Sequence, residues 1–291
     1  MLDVAFGLPF TRSGLCQADT RLALSQARGV YDELVELIRQ SAVVHTDETG
    51  WRMGLLSAWL WVFTNQALTV YTVRASRGHE VVVDILGRAF RGTLVADCFT
   101  AYDHQALGDW LQQKCVGHLL KDLSLMRETK TRGAVRFAQD VTALLREALA
   151  LRAQKPHLPA KSFRAQVAAL EQRLDRLIDP HRKLTDPDNK RFAKRLRKQR
   201  PHLLRFLHTN GLDPTNNQAE RMLRPAVIIR KTNGCNRTER GALAHAILAS
   251  ILVTCRQQGL SLVEALVKIQ RAGQANVHLL GLPLLAAPTG R

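Results

Sequence analysis

Residues 43–52, VVHTDETGWR, set two adjacent carboxylates, Asp47 and Glu48, directly behind a β-branched run. The run reads as a strand, and a carboxylate at a strand end is by ordinary preference a turn residue. Its meaning therefore depends on what the neighbouring segments bring beside it. Two of them, LSAWLWVFT (56–64) and ALTVYTVRA (67–75), are again rich in β-branched and aromatic residues, with Gly50, Gly54, Asn65 and Gln66 as turn residues between. Three strands joined by hairpins are predicted.

Further on, GHEVVVDILGRAF (78–90) predicts a helix and GTLVADCFTAYD (92–103) a buried strand ending in polar residues. HQALGDWLQQ (104–113) reads as a helix and KCVGHLL (114–120) as a further short strand. The order strand, strand, strand, helix, strand, helix, strand describes an α/β mixed sheet flanked by helices. It is the element order of a ribonuclease H-like core.

Upstream, residues 17–40 place Leu22, Leu24, Val30, Leu34, Leu37 and Ile38 at roughly helical spacing, predicting one or two amphipathic helices. Downstream, the pattern is helical from about residue 121 to 210, with HRKLTDPDNKRFAKRLRKQRPHLLRF (181–206) its most basic stretch. A turn then leads into QAERMLRPAVIIRKTNG (218–234), a helix carrying Glu220, for which Thr215, Asn216 and Asn217 are the capping residues on offer. ALAHAILASILVTCRQQG (242–259) and SLVEALVKIQRAG (261–273) read as two more helices, followed by a Pro/Gly-rich tail. The expected organisation is an N-terminal helical segment (1–40), the first part of a catalytic core (41–120), a basic helical insertion before the last catalytic helix (121–210), and the Glu220 helix with C-terminal helices completing the core (211–291).

Of the 291 residues 46% are hydrophobic, enough for a real core, and the formal net charge is +17. So large an excess points to a polyanionic partner, nucleic acid first and an anionic membrane surface second. No run of eighteen apolar residues occurs, and the start MLDVAFGLPFTRSG lacks a basic segment followed by an apolar one, so a cytoplasmic protein is expected. Five scattered cysteines without a C-x-x-C pair suggest reduced thiols rather than disulfides or a zinc ribbon.

In a sheet of this kind the first and fourth strands lie side by side, which would bring Asp47 and Asp97 together, and a helix across those strand ends can deliver Glu220. Clustered carboxylates repel unless a cation neutralises them, and hard divalent ions prefer carboxylate oxygens. Two such ions about 4 Å apart suit an in-line phosphoryl displacement. Each acid also has a plainer reading: Asp47 a turn residue, Asp97 a loop start, Glu220 a helix partner of Arg224 at i, i+4. Arg221, Arg224, Arg230, Lys231 and Arg237 follow Glu220 closely and are candidate phosphate contacts, against the alternative of a solvated basic face. Lys190 to Arg200 is a second candidate DNA surface, with a solvated helix face the equal alternative. His118 and Lys121 are placed near the site through the predicted fifth strand, and Trp51 and Arg52 flank Asp47, with core packing the alternative for Trp51, Trp59 and Trp61.

The segments HTDETGWR (45–52), WLWVF (59–63), SRG (76–78), LVADCFTAYD (94–103), GHLLKDL (117–123) and the block from Asn216 to Leu252 together resemble the insertion-sequence-66 family of DDE transposases. The resemblance implies a ribonuclease H-like fold and metal-dependent DNA strand cleavage and strand transfer. It assigns the triad to Asp47, Asp97 and Glu220 on two Mg²⁺ ions, which Mn²⁺ can replace, while Arg52, Lys121, Arg221, Arg224, Arg230, Lys231 and Arg237 are candidate DNA contacts by their charge and placement. The implied partners are element ends and target DNA, a homo-oligomer on DNA and companion proteins of the same element, in the bacterial cytosol or nucleoid and not at a membrane. Family members carry upstream coiled-coil, zinc-binding and DNA-recognition segments, whereas this chain begins at Met1 close to the catalytic core. The alternatives are thus a truncated, catalytically silent DNA-binding regulator of a full-length transposase, or a stand-alone ribonuclease H-like nuclease.

Overall fold

The computed structural model describes residues 11–131 and 133–282. The first ten residues and the Pro/Gly-rich tail beyond residue 282 lie outside them. In chain order the elements are α1 (Arg12–Arg21), a π-helical turn (Leu22–Gln26), α2 (Arg28–Arg39), β1 (Val43–Met53), β2 (Leu56–Thr64), β3 (Thr69–Arg74), α3 (His79–Leu86), β4 (Thr93–Ala96), β5 (Leu111–Lys114), α4 (Val116–Thr129), α5 (Ala134–Gln154), α6 (Ala160–Ile178), α7 (Pro187–Leu203), a short α8 (Arg205–His208), α9 (Asn217–Asn233), α10 (Glu239–Gln257) and α11 (Leu262–Arg271). The chain is α/β, with antiparallel and parallel strand pairs among helices, and it divides into two compact units.

The first unit takes Met1–Gly92, His104–Asp109 and Asn217–Arg291. Its strands β1, β2 and β3 form an antiparallel meander, registered so that Asp47 faces Val62 and Glu48 faces Trp61. Side chains alternate across a pleat, so Asp47, Thr49, Trp51 and Met53 share a face with Ala58, Leu60 and Val62, while Glu48, Gly50 and Arg52 share the other with Trp59, Trp61 and Phe63. Helix α10 packs on β3 and satisfies its free edge: Ser250 Oγ accepts the Tyr71 amide at 2.8 Å and Thr254 Oγ1 the Thr69 amide at 3.0 Å. An edge covered in this way no longer offers open backbone groups to another chain.

Strand β1 is longer than its sequence suggests. Gly50, expected in a turn, lies within the strand, and the reversal falls on Gly54 and Leu55. Gly54 has φ +62° and lies so near the Arg237 carbonyl that a Cβ would sit 2.9 Å from that oxygen, so glycine is required there. Asp47 is therefore mid-strand, not at a strand end.

The second unit takes Thr93–Asp103 and Trp110–Asn216. Here β4 and β5 pair in parallel, Thr93 with Leu111 through Ala96 with Lys114; α7 and the short α8 pack on β5, and α4 to α7 pack on one another in succession. Leu111–Gln113, predicted to end a helix, form strand β5 with Lys114, and the rest of the predicted strand KCVGHLL, from Val116 on, instead begins helix α4. The polar composition of β5 hid it, because Gln112 and Gln113 are buried and hydrogen-bonded: Gln112 donates to the Tyr102 carbonyl and Gln113 to that of Leu203. Tertiary partners override local propensity at such positions. In α4, Val116, Leu119 and Leu123 form the buried stripe.

Candidate active site

In the first unit, α9 lies across β1 and β2 through Ala219, Leu223 and Ala226, which pack against Trp51, Met53, Leu60 and Val62. This is the face that carries Asp47. Glu220 stands in the first turn of α9, three residues before Leu223 and thus on nearly the same side of the helix. Asp47 and Glu220 are both half-buried. Each buried aliphatic side chain at this interface contributes roughly 1.5–3 kcal/mol toward holding helix on sheet.

Polar bonds fix the helix further. Tyr71 Oη on β3 donates to the Met222 carbonyl at 2.6 Å, and burial pushes that phenol up. Arg230 donates to Thr49 Oγ1 at 3.0 Å and to the Gly50 carbonyl, so its guanidinium is engaged with β1 two and three residues past Asp47. Beyond α9, Asn236 accepts from Trp51 Nε1 at 2.9 Å and donates to the Gly241 carbonyl, tying the following loop to the strand end. Trp51 is buried edge-on against His245, whose imidazole burial pushes down. Its structural role agrees with core packing.

Glu48 looks the other way. Its side chain is 2% exposed and pairs with Arg77 at 2.9 Å, and the Arg77 guanidinium lies over the Trp59 ring at 4.3 Å. Arg52 is exposed on this second face, away from Asp47. Arg52, Arg230 and Arg237 nevertheless line one cavity of about 730 Å³ with Trp59 and the hairpin tip. Arg221, Arg224 and Lys231 are exposed along α9. Sequence reasoning left Arg77, Tyr71 and Asn236 without a role, although Arg77 and Asn236 fall in the segments SRG and Asn216–Leu252.

In the second unit, Asp97 follows β4 directly and its Oδ1 accepts the Phe99 amide at 2.9 Å, an Asx turn that orients the carboxylate. The adjacent Cys98 thiol is pushed up to about 11 by burial, which keeps it protonated and unreactive. His118 and Lys121 lie on α4 and not on a strand, His118 half-buried and Lys121 exposed. Nearby, Asp103 receives Lys114 Nζ at 3.2 Å, Lys198 Nζ at 3.0 Å and Gln199 Nε2 at 2.8 Å. Burial would raise this carboxyl, but the Gln199 hydrogen bond and the lysine charges outweigh it and hold it below the usual carboxylate range.

The family model described as Transposase IS66 family matches residues 1–244, a span that contains both faces of β1, the Asp97 turn and the Glu220 helix. The chain belongs to the IS66 transposase family. Among curated proteins none matches this transposase. No helix of its described residues is long and apolar enough to cross a membrane.

Proposed function

We propose that this transposase cuts DNA at the ends of an insertion sequence and joins the freed 3′-hydroxyls to target DNA, using a ribonuclease H-like core and the acids Asp47, Asp97 and Glu220. The observation that carries the reading is that α9, the helix bearing Glu220, packs on the pleat face of β1 to which Asp47 belongs, within a chain of transposase family membership. The antiparallel meander followed by a helix and a parallel strand supports the fold assignment.

The donor set fits a hard divalent cation. All three groups are carboxylates, the ligands Mg²⁺ and Mn²⁺ prefer, and all are only half-buried, which leaves room for the waters Mg²⁺ retains. Asp47, Asp97 and Glu220 would hold two such ions, which supply activation of the attacking hydroxyl and stabilisation of the leaving oxygen. The chain's own contribution is positioning: Tyr71 and Arg230 hold α9 against the sheet, and the Phe99 amide holds Asp97. Arg52, Lys121, Arg221, Arg224, Lys231 and Arg237 supply phosphate contacts that position DNA without reading its bases, and Arg230 joins them at the cavity edge.

The test is nicking of duplex DNA carrying the element's ends, with Mg²⁺ or Mn²⁺ and with chelator. Asp47→Asn, Asp97→Asn and Glu220→Gln should each lower the rate by at least about 10²-fold, since each removes an electrostatic contact to the reacting centre. An Asp97→Asn protein that nicks at the wild-type rate would sink the assignment.

A further inference from the structure

A second basic surface lies in the helical unit and shares no residue with those assigned to the reaction. The chain between α6 and α7 folds over the first turns of α7 and encloses a groove of about 580 Å³. It is lined by Arg182, Lys183, Lys190, Arg191, Lys194 and Arg197, with no carboxylate among the lining residues. Two of the arginines are built into the fold: Arg197 donates to the Ile178 carbonyl at 2.8 Å and Arg182 to that of Leu177 at 3.3 Å, both at the C-terminal end of α6. Cations there also complement the helix dipole. Arg182 pairs with Asp140 at 3.6 Å, and Arg191 with Asp188. Asp188 and Asp186 are in turn bound by Lys130. Among the described residues no ion pair engages Lys183, Lys190 or Lys194, and all three are exposed.

Lys190, Lys194 and Arg197 stand at i, i+4 and i+7, one stripe of α7 rising about 10 Å. A groove with no carboxylate in its lining, two arginines held by backbone carbonyls and three exposed ammonium groups suits an extended polyanion.

We infer that this groove binds the phosphate backbone of duplex DNA, without sequence preference, through residues other than the acids and the cations assigned to the reaction. The inference rests on the DNA-processing reading above, and its test is kept independent of catalysis. Binding of a random-sequence duplex of 30 base pairs is titrated in chelator from low to moderate salt, for wild type and for the triple variant K183Q/K190Q/K194Q. Each phosphate contact contributes about 0.9 to the slope of log affinity against log salt, so the triple variant should lower that slope by about 2 to 3. A control triple, R146Q/K161Q/R176Q, removes the same charge from exposed positions of the same unit and should leave the slope within about one of wild type. The inference is overturned if the groove triple binds with the wild-type slope, or if the control triple lowers it equally. Loss of the cleavage reading would appear separately, as wild-type protein that binds but never nicks with metal.

Discussion

Arg230 Nη1 donates to Thr49 Oγ1 across 3.0 Å, and through that bond the helix bearing Glu220 is fastened to the strand bearing Asp47. Thr49 lies two residues from Asp47 on the same pleat face, and Arg230 also reaches the Gly50 carbonyl, so one side chain spans two backbone positions of β1. A residue read from sequence as a phosphate contact thus has a mechanical role in the fold.

Arg230→Ala should destabilise the protein by about 1–3 kcal/mol, the cost of losing a charged hydrogen-bond donor at a partly buried site. Arg230→Lys should recover only part, because a compact, strongly hydrated ammonium on a different stem does not reproduce the position of the guanidinium Nη1 that makes both bonds. Urea unfolding with nicking assays separates the roles. A variant that keeps wild-type stability and loses only DNA affinity would show that the strand contact is immaterial.

Glu48 and Asp47 should part company on mutation. Glu48→Gln breaks an ion pair whose carboxylate is 2% exposed but whose Arg77 partner is 42% exposed, so a loss of about 1–3 kcal/mol is expected with cleavage within a few-fold of wild type. Asp47→Asn should do the reverse, abolishing cleavage at smaller cost in stability. Cleavage abolished by Glu48→Gln in a protein of normal stability would exchange the two roles.

Asp103→Ala strands the Lys114 ammonium, which is fully buried, without its carboxylate. Breaking a buried pair from one side costs about 3–5 kcal/mol, so the single variant should unfold at markedly lower denaturant. The double variant Asp103→Leu/Lys114→Met should regain most of that loss, and a double no better than the single would show that the pair is not coupled.

Stability should fall on acidification through His202. Burial, with the neighbouring Lys114 and Arg205 charges, pushes this imidazole down to about 4 from its usual 6.5. The folded state therefore resists protonation that the unfolded chain accepts, so stability is full above about pH 6.5 and declines as pH falls toward 4. His202→Asn should flatten unfolding midpoints between pH 7 and 4.5 relative to wild type. Equal slopes in the two proteins would assign the decline to other groups.

Much of this arrangement is legible in the chain. Strands β1 to β3 announce themselves through β-branched and aromatic runs, and α9, α10 and α11 through their apolar spacing, because period and residue type are local properties. The alternation that separates Asp47 from Glu48 also follows from the pleat once β1 is recognised. Strand β5 escaped, since glutamines look like helix or surface until the Tyr102 and Leu203 carbonyls that satisfy them are known. The length of β1 escaped as well: Gly50 is a turn former by composition, and only its place opposite Trp59, with Arg230 bonded to its carbonyl, makes it a strand residue.

Residue identity and spacing alone thus specified the basic surplus and most elements, because hydrophobic period, charge and turn chemistry act over a few neighbours. Which arginine braces the fold, which carboxylate pairs with Arg77, and where Arg197 of α7 meets the end of α6 were decided by folding, since those partners stand 19 to 181 residues apart and meet only through packing.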